Sequence, residues 1–109
     1  MLIAVASKDG KEINQHFGHA ERFLIYDVEN GDAKLIDERL VKRYCSYDPE
    51  QLLRGHLLRS IAEALDGCRA VVITQMGEHP RGELEKLGVE PFVTSGPIKM
   101  TLVELAKIL

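Results

Sequence analysis

Cysteine is scarce in this chain. Only Cys45 and Cys68 occur, 23 residues apart, and there is no C-x-x-C. That excludes a secretory disulfide framework. The expected setting is cytoplasmic and reduced, with free thiols unless something binds them. A basic excess is also missing: 14 Lys and Arg stand against 17 Asp and Glu, a net charge of −3. No run of five like charges occurs, so the footprint of a nucleic-acid partner is absent. No stretch approaches the ~18 apolar residues of a membrane span. The apolar start Leu2–Ala6 is too short for the core of a signal peptide and has no charged n-region before it. Internal repeats and low-complexity linkers are lacking too. What remains is 45% apolar and 28% charged, close to globular averages. This predicts one domain over residues 1–109, able to build a core without a disulfide or metal staple.

The elements that are present alternate in type. "LIAVAS" (2–7) is an apolar run without polar alternation, as in a strand buried on both faces. Residues 8–21 are polar, contain Gly10 and Gly18, and read as a loop. "RFLIYDVE" (22–29) and "AKLIDERLVKRY" (33–44) read as extended, joined at Asn30-Gly31, a strong hairpin signal. Asp48, Pro49 and Gln51 then form a helix N-cap, a first-position proline and a capping-box partner. Leu53, Leu57, Ile61 and Leu65 give that helix its apolar stripe, and Gly67 stops it. "RAVVIT" (69–74) is a second buried strand. Pro80 opens a short helix, "VEPFVT" (89–94) is a strand that Pro91 marks as an edge, and Pro97 opens the last helix.

The order β-β-β-α-β-α-β-α predicts an α/β sandwich with a five-stranded mixed sheet. If the first strand runs up, the second runs down, the third up, and helical crossovers make the fourth and fifth run up as well. The carboxyl ends of the upward strands then share one edge, where ligands of open α/β sheets bind. His16, His19, Cys45, Met76 and His79 all belong to loops on that edge, while Cys68 falls at the opposite one.

Each of these residues has a plain alternative. His16 and His19 form an H-x-x-H pair that is either a ligand pair or two exposed loop residues. Cys45 lies in the polar stretch "KRYCSYDPE", and thiolate with imidazole is a ligand set of zinc, copper and iron–sulfur centres. His79 precedes Pro80 and is expected at its helix N-cap, either as a simple cap or as a neutral ligand. Met76 is either a soft donor or core. Cys68 is expected to be structural, and His56 to be an ordinary helix residue.

Taken together, these segments resemble a known family. "INQHFGHAERFLIYDV" is similar to the box that marks the dinitrogenase iron–molybdenum cofactor biosynthesis family, which includes NifX-type carriers and the carboxyl-terminal domain of NifB-type proteins. "IAVAS", "Y-C" before the first helix, "L-D-G-C-R-A-V", "M-G-E-x-P" and the final "V-x-P" follow in the family order. The resemblance implies a ribonuclease-H-like three-layer fold. It also implies transient binding of an iron–sulfur or iron–molybdenum-type cluster, with cluster donor and acceptor proteins as partners. Carried over by position, the cluster contacts are His16, His19 and Cys45 as metal ligands, with His79 beside them; Met76 joins the candidates only by its place on the same edge. The chain has no C-x-x-x-C-x-x-C, so the radical chemistry of the NifB-type enzyme domain is not expected.

Three functions compete at this stage. The first is a non-catalytic carrier in metallocluster assembly. The second is an enzyme, either a metal-dependent nuclease, for which the interiors of the predicted upward strands offer no carboxylate apart from Asp37 and Glu38, or a thiol hydrolase built on Cys45 and a histidine. The third is a cluster-free interaction or regulatory module with an apolar rim of Phe17, Tyr44 and Tyr47. The oligomeric state stays open, with a monomer sufficient for the carrier.

Overall fold

The computed structural model describes residues 1–41 and 51–109, with the backbone alone for 51–57. Tyr44, Cys45, Tyr47, Asp48 and Pro49, and the side chains of Leu53, His56 and Leu57, therefore lie outside the described residues. The chain runs through β1 (Leu2–Val5), β2 (Glu12–Ile13), a 3-10 turn (Phe17–His19), β3 (Arg22–Glu29), β4 (Asp32–Leu40) and α1 (Gln51–Ala64). It continues through β5 (Ala70–Ile73), α2 (Glu78–Lys86), β6 (Glu90–Val93), β7 (Gly96–Pro97) and α3 (Ile98–Ala106).

Five strands form one mixed sheet in the order β4-β3-β1-β5-β6. β3 lies antiparallel to β1 and to β4, while β5 lies parallel to β1 and to β6. The expected strand directions hold throughout. Asn30 and Gly31 both take positive φ, 52° and 77°. This is the geometry that lets a two-residue turn follow the strand twist. β6 is an edge strand and contains Pro91, whose missing N–H costs nothing in pairing there.

The apolar runs of β1 and β5 are buried because both faces of the sheet are covered. On one face Ala4, Phe23, Ile25, Val71 and Ile73 pack with Leu58 and Ile61 of α1, Leu65 just after it, and Leu84 of α2. On the other, Ile3, Val5, Leu24, Tyr26 and Val72 pack with Ile98 and Leu102 of α3. Helices thus lie on both sides of the sheet, giving three layers.

Several local expectations change. The predicted loop 8–21 contains β2, which pairs with β7 through Glu12–Pro97 and Ile13–Gly96. A two-residue pairing has no periodicity for a sequence to display. The third predicted strand ends at Leu40, and its pairing with β3 shifts between Ile25 and Tyr26, so that Ile36 has no opposite residue. Such a bulge bends an edge strand and disturbs its ladder. α2 begins at Glu78, with Gly77 as its N-cap. Pro80 is its third residue, which is tolerated because the first-turn N–H groups have no partner within the helix. His79 is therefore the second helical residue and not the cap. Phe17 is 1% exposed. It cannot belong to an apolar rim; it is core, tilted against Phe23 with ring centroids 6.0 Å apart.

Candidate functional site: a histidine turn at the carboxyl end of β5

The segment that leaves β1 is ordered by its own polar groups. The buried Ser7 hydroxyl donates to the Glu12 carbonyl at 2.5 Å and accepts the Gly10 N–H at 2.9 Å. Asp9 Oδ1 accepts the N–H groups of Lys11 and Glu12, at 2.9 and 3.1 Å. Those two backbone bonds favour the carboxylate and lower the Asp9 pKa. The loop is thereby turned into β2, and the chain returns across the edge of the sheet.

It is then fastened to the strand beside it. Thr74 N–H donates to the Gln15 carbonyl at 3.0 Å, and Phe17 N–H donates to the Gln75 carbonyl at 2.9 Å. The histidines flank this second bond, so they sit where the chain leaves the carboxyl end of β5. Burial of Phe17 holds the turn from below. His16 N-caps the turn: its Nδ1 accepts the Gly18 N–H at 2.8 Å. The His19 N–H donates to the His16 carbonyl at 3.0 Å, and the Gln15 amide donates to the His19 carbonyl at 3.2 Å. The two imidazoles stack, with centroids 4.8 Å apart and planes inclined by 29°.

Electrostatics match this geometry. Burial, with the charge of His19 as a smaller contribution, lowers the His16 pKa below the ordinary imidazole value. The neutral ring is the form that can accept the Gly18 N–H, since an imidazolium has no free lone pair. His16 is half-buried and His19 is exposed.

The remaining predicted residues are distributed unevenly. Met76 follows Gln75 on the same edge, partly buried against the core beneath α1 and α2. His79 is exposed on α2 and lines a groove between α1 and α2 with Leu58, Ala62 and Leu84. Cys45 lies outside the described residues. However, the Val41 N–H donates to the Glu21 carbonyl at 2.9 Å. Val41, just after β4, thus lies beside Glu21, two residues beyond His19. Among the described residues, no three His, Cys, Asp or Glu side chains converge into a metal group. The structure thus brings together His16 and His19, while His79 lines the α1–α2 groove.

Cys68 lies at the other end of β5, buried with Leu65 and Val89. Burial raises its thiol pKa, with Arg39 opposing and Asp66 adding to the rise. Asp37 and Glu38, the carboxylates weighed for a nuclease, are exposed and each faces an arginine: Asp37 pairs with Arg39 and Glu38 with Arg22, both at 3.2 Å. The Gly18 cap and the bonds at Thr74 and Gln75 were not anticipated. The one available signal was the order His-Phe-Gly, since a polar side chain can accept the N–H two residues on, as Asn and Asp do in turns.

Comparison with known proteins identifies the family. The family model "Dinitrogenase iron-molybdenum cofactor" matches residues 1–107. The chain is 41% identical over 91 residues to a FeMo cofactor biosynthesis protein NifB of Frankia alni, covering 84% of this chain and 18% of that protein. It is 36% identical over 93 residues to the protein of the same name from Herbaspirillum seropedicae, covering 84% of this chain and 17% of that one. It thus spans less than a fifth of the length of these two relatives. A solution structure of a Thermotoga protein, described as NifB-like and placed in the DUF35 family, shares the fold with a TM-score of 0.58. That match has 17% identity and covers 98% of this chain and 86% of the other. The chain therefore belongs to the dinitrogenase iron–molybdenum cofactor family, whose similar members take part in building that cofactor.

Proposed function

We propose that this chain is a non-catalytic carrier, on a ribonuclease-H-like scaffold, for an iron–sulfur or iron–molybdenum-type cluster that it receives from a donor protein and passes to an acceptor. The cluster is cargo rather than a resident cofactor. The observation that carries this reading is the stacked pair His16 and His19, presented on a rigidly fastened turn at the ligand-binding edge of the sheet. Imidazole is a good ligand for iron and its neighbours in the first transition row. Two such donors, one half-buried and one exposed, leave most of a cluster's coordination sphere to other ligands. An acceptor protein can then compete for it. Cys45 adds a thiolate to the same proposed set, by its place in the family's "Y-C" segment before the first helix. His79, in the α1–α2 groove, is left out of it, and Met76 is adjacent rather than required.

Anaerobic incubation with a cluster-loaded donor protein is expected to give a coloured, stoichiometric complex after the donor is removed. His16→Ala and Cys45→Ser are expected to weaken it. Equal binding by wild type and both variants would show that the site lies elsewhere. Retention of no iron by the wild type would remove the carrier reading altogether.

A further inference from the structure

One lone pair on the histidine turn faces two demands. Nδ1 of His16 accepts the Gly18 N–H at 2.8 Å and so caps the turn Phe17–His19. The same ring belongs to the proposed cargo site. A neutral imidazole has one N–H and one free lone pair. While Nδ1 accepts a hydrogen bond, Nε2 carries the hydrogen and has nothing to give a metal. Coordination through Nε2 sends that hydrogen to solvent and places another on Nδ1, so that two donors face each other across 2.8 Å. Coordination through Nδ1 takes the lone pair away from Gly18 directly. Both routes break the cap.

Gly18 is buried. A buried N–H stripped of its acceptor is costly unless the backbone moves to reach water or a new partner. We infer that metal capture by His16 and the Gly18 cap exclude each other, so that loading opens the Phe17–His19 turn and re-closing of the turn helps release the cargo. This rests on the carrier reading and adds to it a built-in competitor: the Gly18 amide contends with the metal for the same nitrogen. His19, exposed and with hydrogen bonds only to its backbone among the described residues, makes the first contact. His16 follows once it has let go of Gly18.

The test uses the full chain labelled with nitrogen-15 and Zn²⁺ as a diamagnetic probe. Ring-nitrogen spectra report which imidazole nitrogens bind metal, and amide hydrogen exchange reports the Gly18 bond. Without zinc, His16 is expected to show an unprotonated Nδ1 and a slowly exchanging Gly18 amide. At saturating zinc, a His16 nitrogen is expected to take the metal. Gly18 exchange should then accelerate about tenfold, the factor that one net hydrogen bond represents. In His16→Asn the side-chain carbonyl can still accept the Gly18 N–H. Gly18 should therefore stay protected with or without zinc, and zinc affinity should fall. His19→Ala should leave the zinc-free Gly18 amide protected. Zinc on His19 alone, or zinc on His16 with Gly18 unchanged, would overturn the inference and leave the carrier reading standing. Acceleration at Gly18 in His16→Asn would overturn it too. Zinc on neither ring would remove the histidine site, and this inference with it.

Discussion

The two ends of β5 treat soft side chains in opposite ways. At its carboxyl end two imidazoles stand at the surface, and among the described residues the only tie on either ring nitrogen is a hydrogen bond that can be surrendered. At its amino end Cys68 is buried, and its thiol is held protonated by its surroundings. The same end is closed by Arg39, whose guanidinium donates to the carbonyls of Ala64 and Asp66 at 2.7 and 2.9 Å and so caps the end of α1. The difference shows that donor chemistry alone does not make a site. A cysteine is the softer ligand of the two, yet burial makes it a small core residue. Histidine becomes the candidate ligand because the fold offers it to solvent.

The comparison can be broken first at its base. Phe17 is the part of the histidine turn that lies in the core, so Phe17→Ala should cost about 3–5 kcal/mol in urea unfolding and also leave Gly18 poorly protected. A loss below about 1 kcal/mol would mean that the turn does not rest on the core. At the opposite end, Arg39→Ala removes two bonds from a charged donor and should cost about 1.5–3 kcal/mol. It should do so without altering Gly18 exchange; a change there would show that the two ends are coupled.

Acidity sharpens the contrast further, because the two ends fail on opposite sides of neutrality. The His16 pKa is lower in the fold than in the unfolded chain. Its contribution to stability is present above the ordinary imidazole pKa and is lost as the pH falls through the folded value. The Cys68 pKa is higher in the fold. Its contribution is present below the ordinary thiol pKa and is lost as the pH rises through the folded value. Urea midpoints across pH should therefore show an acid loss that His16→Asn diminishes and an alkaline loss that Cys68→Ala diminishes. A curve unchanged by either variant would contradict the assignment. The smallest effect on stability, though easily seen as a rate, is thiol reactivity. In a Cys45→Ser background, Cys68 should be alkylated slowly at neutral pH in the native protein and quickly in urea. Rapid native alkylation would show that this end is open.

Much of this architecture was legible because it depends on residues that act locally. Asn30-Gly31 specified the hairpin, the unbroken apolar runs of β1 and β5 specified buried strands, and Pro91 marked an edge. From these the strand directions followed, and with them the edge shared by His16, His19 and Met76. What escaped depends on partners distant in sequence. β2 exists only because Gly96 and Pro97 come to lie beside it. The bulge at Ile36 reflects how β4 fits β3. The start of α2 at Glu78 depends on a chain path that lets Pro80 sit in the first turn. Phe17 looked like a surface aromatic because its neighbours are polar, and only the fold shows that it turns inward against Phe23. His79 shared the edge in the strand-direction argument, yet its place on α2 directs it to the groove beside α1.

The most direct test sets the two ends against each other in one assay. The protein, His16→Ala/His19→Ala and Cys68→Ala are each incubated without oxygen with ferrous iron and sulfide, desalted, and assayed for retained iron. Wild type and Cys68→Ala are expected to retain similar amounts, while the double histidine variant loses most of it. Retention by the double histidine variant together with loss in Cys68→Ala would place the cargo at the wrong end of β5 and contradict the account.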